Sequence, residues 1–227
     1  MYIASRKKEN RIYTDEQVLQ LPDIEPSHIY YSEWEIRKRS AKRLIKYIEN
    51  KNKPLRILEI GCGNGWLSAS LASISNITVL GTDINKIELS QAKRVFENKL
   101  NLSFAEADIS GLNVAKNFDM IVFAASIQYF SSFEKIIREA LLLLKKGGEI
   151  HILDSFFYKY GEIDEAKQRS LLYYRSIGFE QMAEDYFHHS AESLHLFDTK
   201  LLFDPASIKN KYFGKKDPFP WICIKAS

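Results

Sequence analysis

A chain of 227 residues suits one domain of ordinary size that can bury its own core. Hydrophobic residues at 45% and charged residues at 27% give a soluble globular balance, and the net charge is only +3. No apolar run approaches the roughly 18 residues of a membrane-spanning helix, so no membrane partner is expected.

Residues 1–11 are polar and basic, without the apolar centre of a secretory signal. The two cysteines, Cys62 and Cys223, lack metal-type spacing, so no metal is expected and a cytoplasmic location is. Positive charge gathers before the first strand, above all in Arg37, Lys38, Arg39, Lys42 and Arg43. A solvated helix face explains such a run, as does an anionic ligand. Nucleic acid is not expected, because no basic stripe interleaved with aromatics accompanies it.

In chain order, residues 40–48 read as a helix with Ala41, Leu44, Ile45 and Ile48 on one face, preceded by Ile29, Tyr30, Tyr31 and Trp34. The apolar run Ile57, Leu58, Glu59, Ile60 is a buried strand that breaks into Gly61-Cys62-Gly63-Asn64-Gly65. Apolar residues then resume at helical spacing in Leu67, Leu71 and Ile74. Residues 77–82 read as the second strand, 86–100 as a helix, 102–105 as a short third strand and 118–124 as a buried fourth.

Phe133, Ile136, Ile137, Ala140, Leu141 and Leu144 keep a helical rhythm that Gly147-Gly148 stops, and a strand follows over 149–154. Residues 163–177 read as a helix, and 195–203 and 221–224 as strands. Alternating strands and helices predict a doubly wound, mostly parallel α/β sheet with helices on both faces. The division is a helical lid segment over 1–53 and a core over 54–227.

Three glycines at alternate positions leave the loop backbone open to close approach by a ligand. A P-loop would end in Gly-Lys-Ser/Thr, and here Trp66 and Leu67 follow Gly65. The dinucleotide fingerprint needs glycine where Trp66 stands, which disfavours an NAD-dependent oxidoreductase. Glu59 lies inside the strand, two residues before the first glycine, where a buried carboxylate needs a partner. Asp83 closes the second strand 22 residues after Gly61, placed to accept ribose hydroxyls; capping of the next helix is its other reading, with Asn85 as competitor.

The pattern of Glu59 and Gly-x-Gly-x-Gly resembles the first motif of the class I S-adenosylmethionine methyltransferases, small-molecule type. That resemblance implies a seven-stranded sheet ending in an antiparallel hairpin, S-adenosylmethionine as cofactor and S-adenosylhomocysteine as product. It assigns the cofactor to Glu59, Gly61, Cys62, Gly63, Asn64, Gly65, Asp83, Ile84, Asp108, Ile109, Ala124, Ser126 and Tyr129. Asp108 would accept from the adenine amino group and Ile109 would pack on the ring. After the fourth strand, Ala124 to Phe130 lacks the Asn/Asp-Pro-Pro-aromatic signature of methylation at base or glutamine amines and the Pro-Cys of cytosine methylation. It resembles instead the Ser/His-x-x-aromatic stretch of small-molecule methyltransferases, which implies a small-molecule acceptor, anionic ones included.

Methylation at oxygen wants a base near neutral pH. His28, Tyr31 and Asp154 are the catalytic candidates, with His188-His189 as further histidines and His151 reading as a core residue on a central strand. Segments 30–34 and 173–187 supply aromatics to enclose an acceptor. A binding subunit without catalysis is the alternative, and the oligomeric state is left open.

Overall fold

A computed structural model describes residues 1–109, 111–112 and 117–226. Its strands are β1 (Leu55–Ile60), β2 (Ile77–Asp83), β3 (Leu102–Glu106), β4 (Phe118–Ala124), β5 (Leu144–Leu153), β6 (Thr199–Phe203) and β7 (Trp221–Lys225). They form one sheet in the order β3-β2-β1-β4-β5-β7-β6. The first five in that order are parallel, and β7 runs antiparallel between β5 and β6. The expected fold, hairpin included, is what the chain adopts.

The sheet interior follows from strands that are apolar on both faces. Met120 and Val122 of β4 enter one core, and the alternate Ile121 and Phe123 enter the other. The first core is covered by α2 (Asp15–Gln20), α3 (Tyr31–Glu49) and α4 (Trp66–Leu71) through Val18, Trp34, Leu44, Leu67 and Leu71. The second is covered by α6 (Phe133–Leu143) through Phe133, Ile136, Ile137 and Ala140. Between β1 and β4 the order of connection reverses, and open α/β sheets bind ligands in the crevice at the strands' carboxyl ends there.

Several boundaries differ from expectation. The helix expected over 40–48 is the second half of α3, which starts at Tyr31. Trp34, Ala41, Leu44 and Ile48 form its buried stripe, while the charges between them hid the rhythm and pair instead, as in Arg37–Glu33 at 3.0 Å. The helix α5 (Lys86–Val95) stops five residues early. Beyond it the Asn101 amide donates to the carbonyls of Ala72 and Ile77, each at 2.7 Å, fixing a turn. Strand β5 begins at Leu144 and runs through Gly147-Gly148, where Gly147 takes φ +71°. Residues 191–196 form a 3-10 turn, so β6 is shorter than the predicted strand. The helix α7 (Ile163–Ser176) matches its prediction. The helices α1 (Tyr2–Lys8) and α2 lie outside the sequence reading.

His151 is the core residue its strand position suggested. The indole Nε1 of Trp221 donates to its Nδ1 at 3.0 Å, which leaves the proton on Nε2, 3.2 Å from Glu149. Burial lowers the imidazole's pKa, so the ring is neutral. Lys51 and the Tyr47 hydroxyl complete the shell of Glu149 at 2.8 and 3.0 Å. Glu149, His151 and Cys223 do lie close enough to share an ion. Both ring nitrogens are engaged, however, and the group ties β5 to α3 and β7.

Candidate functional site

The loop after β1 is shaped by its glycines. Gly61 takes φ +74°, and a Cβ there would lie 2.5 Å from the Ser126 Cβ; its amide donates to the Thr82 carbonyl at 2.8 Å. Gly65 takes φ +78° at the start of α4, where a Cβ would lie 2.6 Å from the Phe104 ring. Gly65 is not among the residues that border the cavity, and close packing against Phe104 requires a glycine there. Gly63 also takes a positive φ, +52°, but the nearest atoms a Cβ there would meet are those of the Glu88 carboxylate, at an ordinary 3.7 Å, and the residue borders the cavity.

The acids are held by this loop. Asp83 accepts from the Gly63 amide through one oxygen and from the Asn85 amide through the other, each at 2.8 Å. Asn85 itself caps α5, accepting from Ile87 at 3.1 Å, so Asp83 does not serve as the cap. Glu59 is buried and accepts from the Ser68 hydroxyl. It stands opposite Gly81 in β2, where a Cβ would lie 2.8 Å from that hydroxyl. Burial, opposed by the Ser68 hydrogen bond and reinforced by Asp83, pushes Glu59 up to about 8. Burial beside Asp83 raises Glu88, on the first turn of α5, to about 7. Asp108 accepts from the Gly111 amide at 2.7 Å.

These residues open onto one cavity of about 1400 Å³. Its near end is bordered by Glu59, Gly61, Cys62, Gly63, Asn64, Asp83, Ile84, Glu88 and Asp108. Ala124, Ser126 and Tyr129 follow along the floor, Ser126 donating to the Ile60 carbonyl at 2.6 Å. The far wall is aromatic: Phe156, Tyr158, Tyr173, Tyr174 and Tyr186, with Met182 and Arg169. Tyr129 stands between the two ends, edge-on to Tyr2 and to Tyr186 at 6.1 and 5.8 Å.

Helix α1 crosses the opening. Tyr2 and Arg6 border the cavity, Glu9 receives the Tyr173 hydroxyl, and the Tyr30 hydroxyl donates to the Glu9 carbonyl. The Arg6 Nε is buried with no hydrogen-bond partner among the described residues.

The catalytic candidates separate. Asp154 borders the cavity at the end of β5, with φ +53°, and its Oδ1 accepts from the Ser40 hydroxyl at 2.6 Å. Burial, moderated by Arg37, Ser40 and Arg43, raises it to about 6. His28 and Tyr31 do not border the cavity. His28 accepts from the Tyr30 amide at 3.1 Å and stacks on Tyr13. Tyr31 lies about 200° around α3 from Glu33, which does border it. His189 is held by the Ile127 carbonyl at 3.0 Å, and His188 by the Ser170 hydroxyl at 2.9 Å. Ile109, expected against an adenine ring, is buried in the second core.

Of the basic run, Arg37 reaches the cavity and pairs with Glu33, whereas Arg39 and Arg43 turn away to Asp217, each at 2.7 Å. Sequence reasoning missed Tyr2, Arg6 and Glu88. Glu88 had a usable signal, an acid in the first turn of the helix that follows Asp83.

A model of the methyltransferase domain matches residues 51–193. The malonyl-[acyl-carrier protein] O-methyltransferase of Halalkalibacterium halodurans is 26% identical over 147 residues, covering 60% of this chain and 54% of that protein. The ubiquinone biosynthesis O-methyltransferase of Pelagibacter ubique is 32% identical over 109 residues, covering 46% and 45%. The chain spans about half the length of the curated relatives it matches. A solved structure from Methanococcus maripaludis, named for S-adenosyl-L-methionine-dependent methyl transfer, superposes with a TM-score of 0.57. It is 18% identical and covers 94% of this chain and 93% of its own, a likeness of fold.

Proposed function

Because the chain belongs to the methyltransferase-domain family, of the class I S-adenosylmethionine-dependent kind, we propose that it methylates an oxygen or nitrogen of a small-molecule acceptor. The observation that carries this reading is a single cavity that joins the glycine loop and its acids to Asp154 and an aromatic wall. At about 1400 Å³ it exceeds the roughly 300–1,000 Å³ of a pocket for one drug-sized ligand. Two ligands side by side account for the size.

The near end fits the cofactor. Each Asp83 oxygen accepts one amide and retains a lone pair for a ribose hydroxyl. Gly63 borders the cavity and carries no side chain, so a ligand can lie against its backbone. Bound there, S-adenosylmethionine supplies a methyl group on a sulfonium, ready for in-line displacement. The chain aligns the acceptor between Tyr129 and the far tyrosines, and alignment supplies much of the acceleration in such a reaction. α1 and the aromatic wall keep water out. Asp154 takes the acceptor's proton at a carboxylate oxygen, and its value near 6 leaves it a base at neutral pH.

The names of both curated relatives favour an oxygen acceptor. The malonyl-carrier relatives act on an acyl group borne by a protein, which is the competing acceptor class. Incubation with methyl-labelled S-adenosylmethionine and a fractionated cell extract separates the two. Label should enter the fraction that passes an ultrafilter. Label confined to protein, or no label transfer from any extract, would refute the small-molecule reading.

A further inference from the structure

We propose that the loop over residues 208–216 is a docking surface for an anionic lipid bilayer. Ile208, Tyr212 and Phe213 are 73%, 77% and 84% exposed, an unusual display of large apolar side chains within nine residues. Lys209, Lys211, Lys215 and Lys216 accompany them, all exposed and, among the described residues, in no ion pair. No carboxylate occurs from 205 to 216.

The loop is held firmly at its base. The Asn210 amide donates to the carbonyls of Pro205 and Asp217 at 2.9 and 3.0 Å, and its oxygen accepts from the Asp217 amide at 3.1 Å. Asp217, itself buried, is fixed by Arg39 and Arg43. These contacts present the apolar tip on a fixed base.

The chemistry selects the occupant. Exposure this high marks a convex tip, which a fluid interface accommodates without a matching groove. Aromatic side chains flanked by lysines suit the headgroup boundary, where each lysine near an anionic surface adds attraction. A second copy of the chain meeting the same patch across a two-fold axis would set lysines against lysines. Docking of this kind lies on a membrane, and agrees with the lack of any helix among the described residues long and apolar enough to cross one.

The chain just past the loop reaches the cavity wall. Phe219 packs on Phe156, ring centroids 4.6 Å apart, and Phe156 borders the cavity. Docking would hold the far end of the cavity close to the lipid surface. The proposal does not depend on the reaction assigned above.

Co-sedimentation tests it, using vesicles of phosphatidylcholine alone and vesicles with phosphatidylglycerol in roughly equal part. The protein should sediment with the mixed vesicles and stay in solution with the neutral ones. The double variant Tyr212→Ser/Phe213→Ser and the variant with the four lysines changed to Gln should each partition about tenfold or more weakly. Both alter only exposed side chains, so thermal unfolding and S-adenosylhomocysteine binding should be unchanged. Equal partition onto both vesicle types, or variants that bind like the parent, would overturn the proposal. So would loss, in the same variants, of self-association or of binding to a purified acyl-carrier protein by a parent that ignores vesicles.

Discussion

Asp83 is the residue whose removal should most directly disable cofactor binding, and its geometry allows the effect to be divided. Its two oxygens accept the Gly63 and Asn85 amides at 2.8 Å, so Asp83→Ala loses two loop contacts as well as any bond to a ribose. A hydrogen bond to a charged group contributes about 1.5–3 kcal/mol. Two ribose hydroxyls sharing one carboxylate should then be worth about 2–4 kcal/mol, or roughly 30- to 1,000-fold in Kd. Loosening of the loop would add to this.

Calorimetric titration of parent and variant with S-adenosylhomocysteine and with a 2′-deoxy analogue closes a double-mutant cycle. The analogue should bind the parent about tenfold or more weakly than S-adenosylhomocysteine, yet bind Asp83→Ala no worse than S-adenosylhomocysteine does. If the deoxy penalty is as large in a folded Asp83→Ala protein, the carboxylate does not meet the ribose and the anchor assignment is wrong.

Asp154, raised to about 6, should give kcat/KM an acidic limb with a midpoint near that pH, and Asp154→Asn should remove the limb and cost about 10²–10⁴ in rate. The same raised value means that its stabilising contribution is full below pH 3.8 and is lost as pH rises through about 6, some 3 kcal/mol in all. Asp154→Asn should therefore be at least as stable as the parent at pH 7.5 in denaturant titration; marked destabilisation there would contradict the burial argument. Glu59, protonated at neutral pH by its raised value near 8, should tolerate Glu59→Gln at pH 7 with little change in denaturation midpoint, and a large loss would show that it folds as a carboxylate. Gly65→Ala should lose about 2–4 kcal/mol from the Phe104 contact and the left-handed φ, while Gly63→Val should abolish S-adenosylhomocysteine binding in a folded protein; the reverse ranking would exchange the two roles. Hydrogen exchange should show residues 1–11 gaining protection with S-adenosylhomocysteine more than the buried stripe of α3, because α1 buries only Ser5 while α3 buries Trp34, Ser40, Ala41, Leu44 and Ile48; unchanged protection in both would leave 1–53 a fixed layer.

The sheet was legible because its strands are apolar on both faces, as Met120 to Phe123 are, and because Gly61 to Gly65 interrupt one of them abruptly. Asp83 and Asp108 were legible as cavity residues because each lies at or just beyond the carboxyl end of a strand beside the glycine loop, where the cavity opens. What the sequence hid depends on rotation about a helix axis and on distant packing. Arg39 follows Arg37 by two residues, about 200° around α3, and so meets Asp217 instead of the cavity. Tyr31 was misplaced in the same way. Helix α1, seven residues ending in three bases, has no apolar stripe to announce it. Tyr2 and Glu9 locate it only through Tyr129 and Tyr173, far along the chain. His28 drew attention as a titratable residue near an aromatic run, and it is those aromatics that hold it.

Titration calorimetry of the purified chain against S-adenosylmethionine, S-adenosylhomocysteine and NAD tests whether the cavity over the glycine loop takes the adenosyl ligand. The first two should bind one-to-one, and NAD should give no heat. A folded protein that binds NAD, or that binds neither adenosyl ligand, would contradict this assignment.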